Sequence, residues 1–290
     1  HTFLSFEFEG NQFVSISVEI RKEVGETYSA TQGLFNQYEL MYVIADERDV
    51  IGLRANHRKD EVFVYPMKAD KEKTRTQWDL FNKIMQAENK LPVKYCIGNH
   101  DIWGWQLKED VKSDALYGKA WWLQQTGYSK TYYSFTHNNW HFIVLDSVQE
   151  NNGGYIALLD DNQFAWLEAE LKNNSDKFIC IVSHIPIISF CSAMFFKDML
   201  PNGDWKLSRA LLHTDARKIK ALFKPYTNIK TCLSGHIHLQ DEVNYLGIKY
   251  YCNGAISGNW WGGAFQDFAP AYALFDFYSD GTVERKMIEY

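Results

Sequence analysis

Val93-Lys94-Tyr95-Cys96-Ile97-Gly98-Asn99-His100-Asp101 decides the fold: a largely apolar, strand-like run ends at a glycine and is followed by three polar side chains. The same construction recurs twice. Phe178-Ile179-Cys180-Ile181-Val182 leads into Ser183-His184-Ile185-Pro186, and Ile229-Lys230-Thr231-Cys232-Leu233 leads into Ser234-Gly235-His236-Ile237-His238. Ligand sites in α/β sheets collect outside the carboxyl ends of strands. Three imidazole-bearing loops delivered to one rim of a sheet therefore read as a metal site.

Outward from these loops, the chain alternates helical and strand patterns from residue 74 onward. Trp78, Phe81 and Met85 fall on one helical face, and a second helical stretch is predicted near 115–125. Residues 131–135 and 141–145 read as a hairpin around His137-Asn138-Asn139. Asp160 or Asp161 can cap a helix whose buried stripe is Phe164, Leu167 and Leu171. A further amphipathic helix is expected over 216–223, then strands over 242–245, 248–251, 272–277 and 283–288, with Asp280-Gly281 as a turn signal. This succession predicts an α/β (α+β) fold, a two-sheet β-sandwich flanked by helices.

The three loops, in this order and each after a strand, resemble the last three motif loops of the calcineurin-like metallophosphoesterases, over about residues 74–290. The resemblance implies hydrolysis of a phosphomonoester or phosphodiester by metal-activated water. Such cleavage needs a nucleophile and neutralised phosphoryl oxygens, which a pair of divalent ions supplies. Imidazole and amide or carboxylate oxygens suit Mn, Fe or Zn. The resemblance further implies that Asn99, His184 and His236 hold the second ion, that His238 holds the first, and that His100 donates a proton to the leaving group with Asp101 orienting its ring. On an extended segment the His-x-His spacing sends both side chains to one face, so one loop reaches two ions. Trp103, Trp260 and Trp261 are candidates for lining the substrate pocket.

The family's first two motifs, Asp-x-His and Gly-Asp, have no counterpart in the first seventy-odd residues. The nearest substitutes are Ser17-Val18-Glu19-Ile20 and Ala45-Asp46-Glu47, which leaves Asp46 as the candidate bridging carboxylate. The expected site is thus half of a dinuclear one. The N-terminal stretch instead resembles part of the bacterial lipoprotein N-acyltransferase domain, which is papain-like and permuted. His1-Thr2-Phe3-Leu4-Ser5-Phe6 and Tyr38-Glu39-Leu40-Met41-Tyr42-Val43 carry this likeness. His1 matches that family's histidine, and its cysteine motif has no counterpart. The predicted organisation is a β-rich segment over 1–70, of foreign origin, followed by a phosphoesterase domain over 71–290 that lacks its own beginning. The join falls in the charged run near 67–76.

Composition narrows the alternatives. With 46% hydrophobic and 23% charged residues the chain is an ordinary globular protein, and a net charge of −6 gives no support for nucleic-acid binding, which favours a basic surface. The expected partner is a small phosphorylated substrate. No apolar run reaches transmembrane length. No signal peptide is visible, and the chain opens on His1, so exported, periplasmic and cytoplasmic locations all stand. Four of the five cysteines sit in strand-like runs and read as core residues, with Cys191 the expected exposed one. His57, His137, His141 and His213 read as structural or surface residues. Two other functions compete with hydrolysis: a degenerate phosphoesterase-fold binding protein with one weak ion or none, and an acyltransferase-related fragment.

Overall fold

The computed structural model describes residues 66–108, 110–196, 198–259 and 263–290, together with the backbone of four strands before them. Those four are β1 (Thr2–Glu9), β2 (Gln12–Ile20), β3 (Met41–Ala45) and β4 (Val50–Leu53). Helix α1 (Lys71–Glu88) begins where the Asp70 carboxylate accepts the Lys73 amide at 2.9 Å, an N-cap that satisfies an orphan helix donor. It buries Trp78, with Phe81 and Met85 packed beside it, as the spacing predicts. Strand β5 (Lys94–Cys96) then ends at a 3-10 turn, Asn99–Asp101.

The helix expected near 115–125 is shorter, α2 (Ala120–Thr126). Gly118 sits at φ +67° and exchanges both backbone hydrogen bonds with Trp103, which holds residues before 120 out of the helix. The hairpin forms from β6 (Tyr133–His137) and β7 (Trp140–Leu145), with Asn138 at positive φ in the turn. A second hairpin, β8 (Val148–Asn151) and β9 (Gly154–Ala157), closes on Asn152 and Gly153, both at positive φ. Asp160 caps α3 (Asp161–Asn173) through the Gln163 amide. Next come β10 (Phe178–Ser183), α4 (Phe190–Phe196), the short pair β11 (Asp198–Met199) and β12 (Trp205–Lys206), and α5 (Ala216–Phe223). The chain ends with β13 (Ile229–Ser234), β14 (Gln240–Tyr245), β15 (Ile248–Asn253), β16 (Ala271–Phe277) and β17 (Val283–Glu289).

Two sheets carry the fold. The first has the order β14-β15-β13-β10-β7-β6, parallel from β15 to β7 with an antiparallel strand at each edge. The second, antiparallel, has the order β17-β16-β4-β3-β5, so strands from the N-terminal stretch lie between β5 and β16. Alternation along β7 shows how the layers form. Phe142 and Val144 face the second sheet, meeting Cys96, Ala273, Phe275 and Val283. Ile143 and Leu145 face the helices, meeting Leu167, Leu171, Ile219 and Phe223. Both faces are covered, which is why the central strands are apolar almost throughout. A third cluster packs Trp78, Trp103, Trp121 and Trp122 around Ile97 and Tyr272, so these tryptophans are core residues.

The Asp280-Gly281 turn joins β16 to β17, with the Asp280 carboxylate accepting the Thr282 amide at 2.8 Å. Gly281 has φ +87°, and a Cβ there would lie 2.6 Å from the Phe178 ring. Gly281→Ala is therefore expected to destabilise the protein by about 1–3 kcal/mol, combining a disfavoured backbone with overpacking. Urea unfolding at unchanged slope measures it; a loss below about 0.5 kcal/mol would show that Phe178 yields freely.

Candidate metal centre

Parallel pairing fixes where the site forms. Leu145 pairs with Ser183 and Val182 with Leu233, so β7, β10 and β13 end on one rim. The loop after β10 and the loop after β13 are tied directly, the Gly235 amide donating to the His184 carbonyl at 3.0 Å. The turn after β5 brings Asn99 to the same place. Three side-chain atoms converge there. Asn99 Oδ1 lies 2.8 Å from His184 Nε2 and 3.1 Å from His236 Nδ1, and the two imidazole nitrogens are 3.1 Å apart. Asn99 and His184 are buried.

The far side of the His236 ring defines its protonation. Its Nε2 lies 2.9 Å from the Ala210 carbonyl, which can only accept, so Nε2 carries a proton, and in the neutral ring the Nδ1 lone pair then faces Asn99 and His184. An amide oxygen and an imidazole lone pair held 3.1 Å apart repel unless a proton or a cation lies between them. Three donor atoms gathered this closely could share a single divalent ion, as they could share a proton. The donors, two imidazoles and an amide oxygen, suit Mn, Fe or Zn. A backbone carbonyl behind a ligating imidazole is the usual outer partner of such a ligand. The residues present fit one ion.

His238 goes elsewhere. The predicted extended His-x-His is corrected: His236 and His238 have φ +70° and +61°, in a bend between β13 and β14. His236 turns into the triangle, whereas His238 is buried with Nδ1 3.3 Å from the Gly258 carbonyl and its ring against Phe265. Positive φ is costly for side chains with a Cβ, and two such residues flanking Ile237 mark a loop whose shape is imposed by its surroundings. Among the described residues, no three His, Cys, Asp or Glu side chains gather as a metal group. Among the described residues, the assembled set is therefore two histidines and an asparagine.

The remaining predicted residues separate clearly. His100 is half-buried, between Asn99 and Asp101 in the 3-10 turn. The Asp101 carboxylate accepts the Gly98 amide at 2.8 Å, which shapes the turn presenting Asn99. Trp103, expected at the pocket, is 2% exposed, donates its indole N–H to the Ala69 carbonyl and packs on Trp121; it supports the core instead. Trp260, Trp261, Asp46, His1 and His57 lie outside the described residues. The strand before Asp46 pairs Met41 with Cys96 and Val43 with Lys94, so it runs antiparallel to β5 and heads away from the Asn99 end.

Cys191, expected exposed, is buried, its Sγ 3.5 Å from the Gln240 carbonyl. Burial, with Asp241 beside it, pushes its thiol up to about 11. Burial likewise raises the thiols of Cys96, Cys180 and Cys232. All four are free, buried thiols, without the lowered pKa that activates a cysteine nucleophile.

Sequence reading missed the backing of the site. Ala210, Ser183, His213 and Asp215 form it, and only the His213-Thr214-Asp215 spacing hints at it. His213 Nε2 lies 3.2 Å from Ser183 Oγ, and Nδ1 lies 2.9 Å from Asp215 Oδ1. Burial raises the Asp215 carboxyl most strongly of any single cause, but the hydrogen bond and electrostatic pull of His213 and the Leu159 amide together outweigh it and hold the group below the usual carboxylate range. His141, read as structural, is held between Thr136 and Glu170 on the side of β7 away from the site.

The family model described as calcineurin-like phosphoesterase matches residues 63–240, more than half of the chain, and the model described as Lnb N-terminal periplasmic domain matches residues 1–95. No curated protein matches. Among solved structures, a dimetal phosphatase from Danio rerio is similar at 15% identity, covering 57% of this chain and 62% of its own, with a TM-score of 0.40. GAP50, the anchor in the inner membrane complex of Plasmodium, is similar at 15% identity over 56% of this chain and 51% of its own, with a TM-score of 0.34. The chain thus spans less than two thirds of the length of either.

Proposed function

Because the chain belongs to the calcineurin-like phosphoesterase family, we propose that it hydrolyses a small phosphomonoester or phosphodiester, with Asn99, His184 and His236 holding a divalent ion. The observation that carries this reading is the convergence of Asn99 Oδ1, His184 Nε2 and His236 Nδ1 within 2.8–3.1 Å of one another. When bound there, a divalent ion supplies Lewis acidity toward a phosphoryl oxygen and a water nucleophile at neutral pH. The chain's own residues do the rest. Ala210 keeps the His236 lone pair turned inward, Asp101 shapes the turn that offers Asn99, and His100, next along that turn, is the candidate to protonate the departing alcohol. The match of residues 1–95 to a domain described as periplasmic supports a location outside the cytoplasm.

A second reading, an impaired member that binds an ion and a phosphorylated ligand without turnover, is favoured by the make-up of the set assembled among the described residues, two histidines and an asparagine. One experiment separates them. Metal-free protein is loaded with Mn, Fe or Zn, its bound ions are counted, and aryl phosphate mono- and diesters are offered. Turnover that a chelator abolishes is the expected result. A tightly held ion without turnover would establish the second reading, and a protein that retains no ion would overturn both.

A further inference from the structure

Segment 208–215 crosses behind the candidate metal centre between β12 and α5, and both of its ends are fastened to the body of the protein. The Arg209 carbonyl accepts the Ala157 amide at 3.0 Å, and the Thr214 amide and hydroxyl both donate to the Ala157 carbonyl, at 2.8 and 2.9 Å. The Asp215 carboxylate accepts the Leu159 amide at 2.9 Å. Between these anchors the segment touches both histidine loops. The Ala210 carbonyl holds the His236 ring, the His213 amide donates to the Pro186 carbonyl at 3.1 Å, and the His213 ring meets the Ser183 hydroxyl beside His184.

Ser183, His213 and Asp215 have the spacing of a nucleophile, base and acid. Their setting excludes that role: the His213 side chain is fully buried, and the Ser183 hydroxyl donates to the Ile185 carbonyl at 2.9 Å. A buried, continuously bonded chain from Leu159 through Asp215 and His213 to Ser183 instead fixes the backbone from which His184 projects. Through the Gly235–His184 bond, the same restraint reaches the His236 loop.

We propose that segment 208–215 is a positioning strap for the metal centre, with His213 as its positioning residue: it holds both imidazoles in ligating orientation from behind while touching neither the ion nor the substrate. The proposal rests on the metal-binding reading above. Loss of such an outer partner costs about 10–100-fold in metal affinity.

The test is a titration of the metal-free 290-residue protein with Co2+, followed by calorimetry and by the visible ligand-field spectrum, beside thermal melting of each apo-protein. His213→Ala is expected to weaken Co2+ binding by about 10–100-fold and to change the spectrum. His213→Gln, which keeps a polar side-chain terminus of similar reach beside Ser183, is expected to recover most of the affinity. Asp215→Asn, which preserves shape, is expected to weaken binding by a smaller factor. Ile219→Val, a core change in α5, is expected to lower the melting temperature and leave affinity and spectrum unchanged. His213→Ala binding Co2+ within about twofold of wild type with the same spectrum would overturn the strap. If His213→Ala does not fold, wild-type affinity and an unchanged spectrum in Asp215→Asn overturn it. Wild-type protein with no saturable Co2+ site would instead sink the metal-binding reading, and the strap with it, an outcome the wild-type arm reveals alone.

Discussion

Replacing His184 by alanine is expected to lower hydrolysis of aryl phosphates by more than about 100-fold and to weaken binding of the divalent ion shared with Asn99 and His236 by at least as much. The imidazole is buried and directs Nε2 at both Asn99 Oδ1 and His236 Nδ1, so its removal opens the triangle at the corner that both other atoms share. Losing a direct ligand must exceed the cost of losing an outer partner, which sets the lower bound. His238→Ala is the informative comparison. Its ring lies against Phe265, with Nδ1 near the Gly258 carbonyl, and its loss is expected to change the affinity of that ion by less than about tenfold. Equal losses in the two variants would show that His238 belongs to the same ion. An unchanged affinity in His184→Ala would remove the proposed centre.

Lys119→Met is expected to cost about 3 kcal/mol of stability. Asp146 follows β7 on the same rim, and its side chain is only 3% exposed, so water does not screen its charge. One oxygen accepts the Lys119 ammonium and the Thr131 hydroxyl, both at 2.5 Å; the other accepts the Val148 amide at 3.1 Å. Removing the ammonium leaves a buried carboxylate, and breaking such a pair costs about 3–5 kcal/mol. Thr131 and Val148 remain as donors, which places the loss at the lower end. Methionine keeps an unbranched aliphatic stem, and the ammonium contact 5.7 Å from the Trp105 ring centre is lost with the charge. The double variant Lys119→Met, Asp146→Asn removes both charges and is expected to recover most of the loss. Urea midpoints at constant slope measure all three proteins. A single-variant loss below about 0.5 kcal/mol would mean that the two neutral donors suffice for Asp146. The pair also matters to the site, because Ser147, the next residue, accepts the Ile185 amide at 3.0 Å within the loop that carries His184.

How far the sequence could be read depends on the range of the interactions involved. Helix α5 was legible end to end, because its apolar stripe repeats at the helical period. The Asp160 cap and the Asp280-Gly281 turn were legible because each is a contact between residues two or three apart. The sequence pattern predicts α2 too long, because the contact that shortens it, Trp103 with Gly118, joins residues fifteen apart. The surroundings of Trp103 and Cys191 escape the sequence for the same reason: whether an apolar side chain lines a cleft or fills a core depends on what the rest of the chain lays over it.

The sequence by itself determined that three strand–loop units each end in a polar, histidine-bearing turn, and this pattern sufficed to identify the family. It did not determine which histidines meet. That was decided by the parallel register of β7, β10 and β13, which aligns their loops, and by two positive φ angles that send His236 into the triangle and His238 toward Gly258. Nor could it disclose the backing of Ala210, His213 and Asp215, assembled from a segment with no periodicity and no motif of its own. Strand and helix patterns are written in neighbouring residues, whereas the convergence of ligand atoms to within hydrogen-bond distance depends on backbone angles and on contacts that exist only once the sheets have packed.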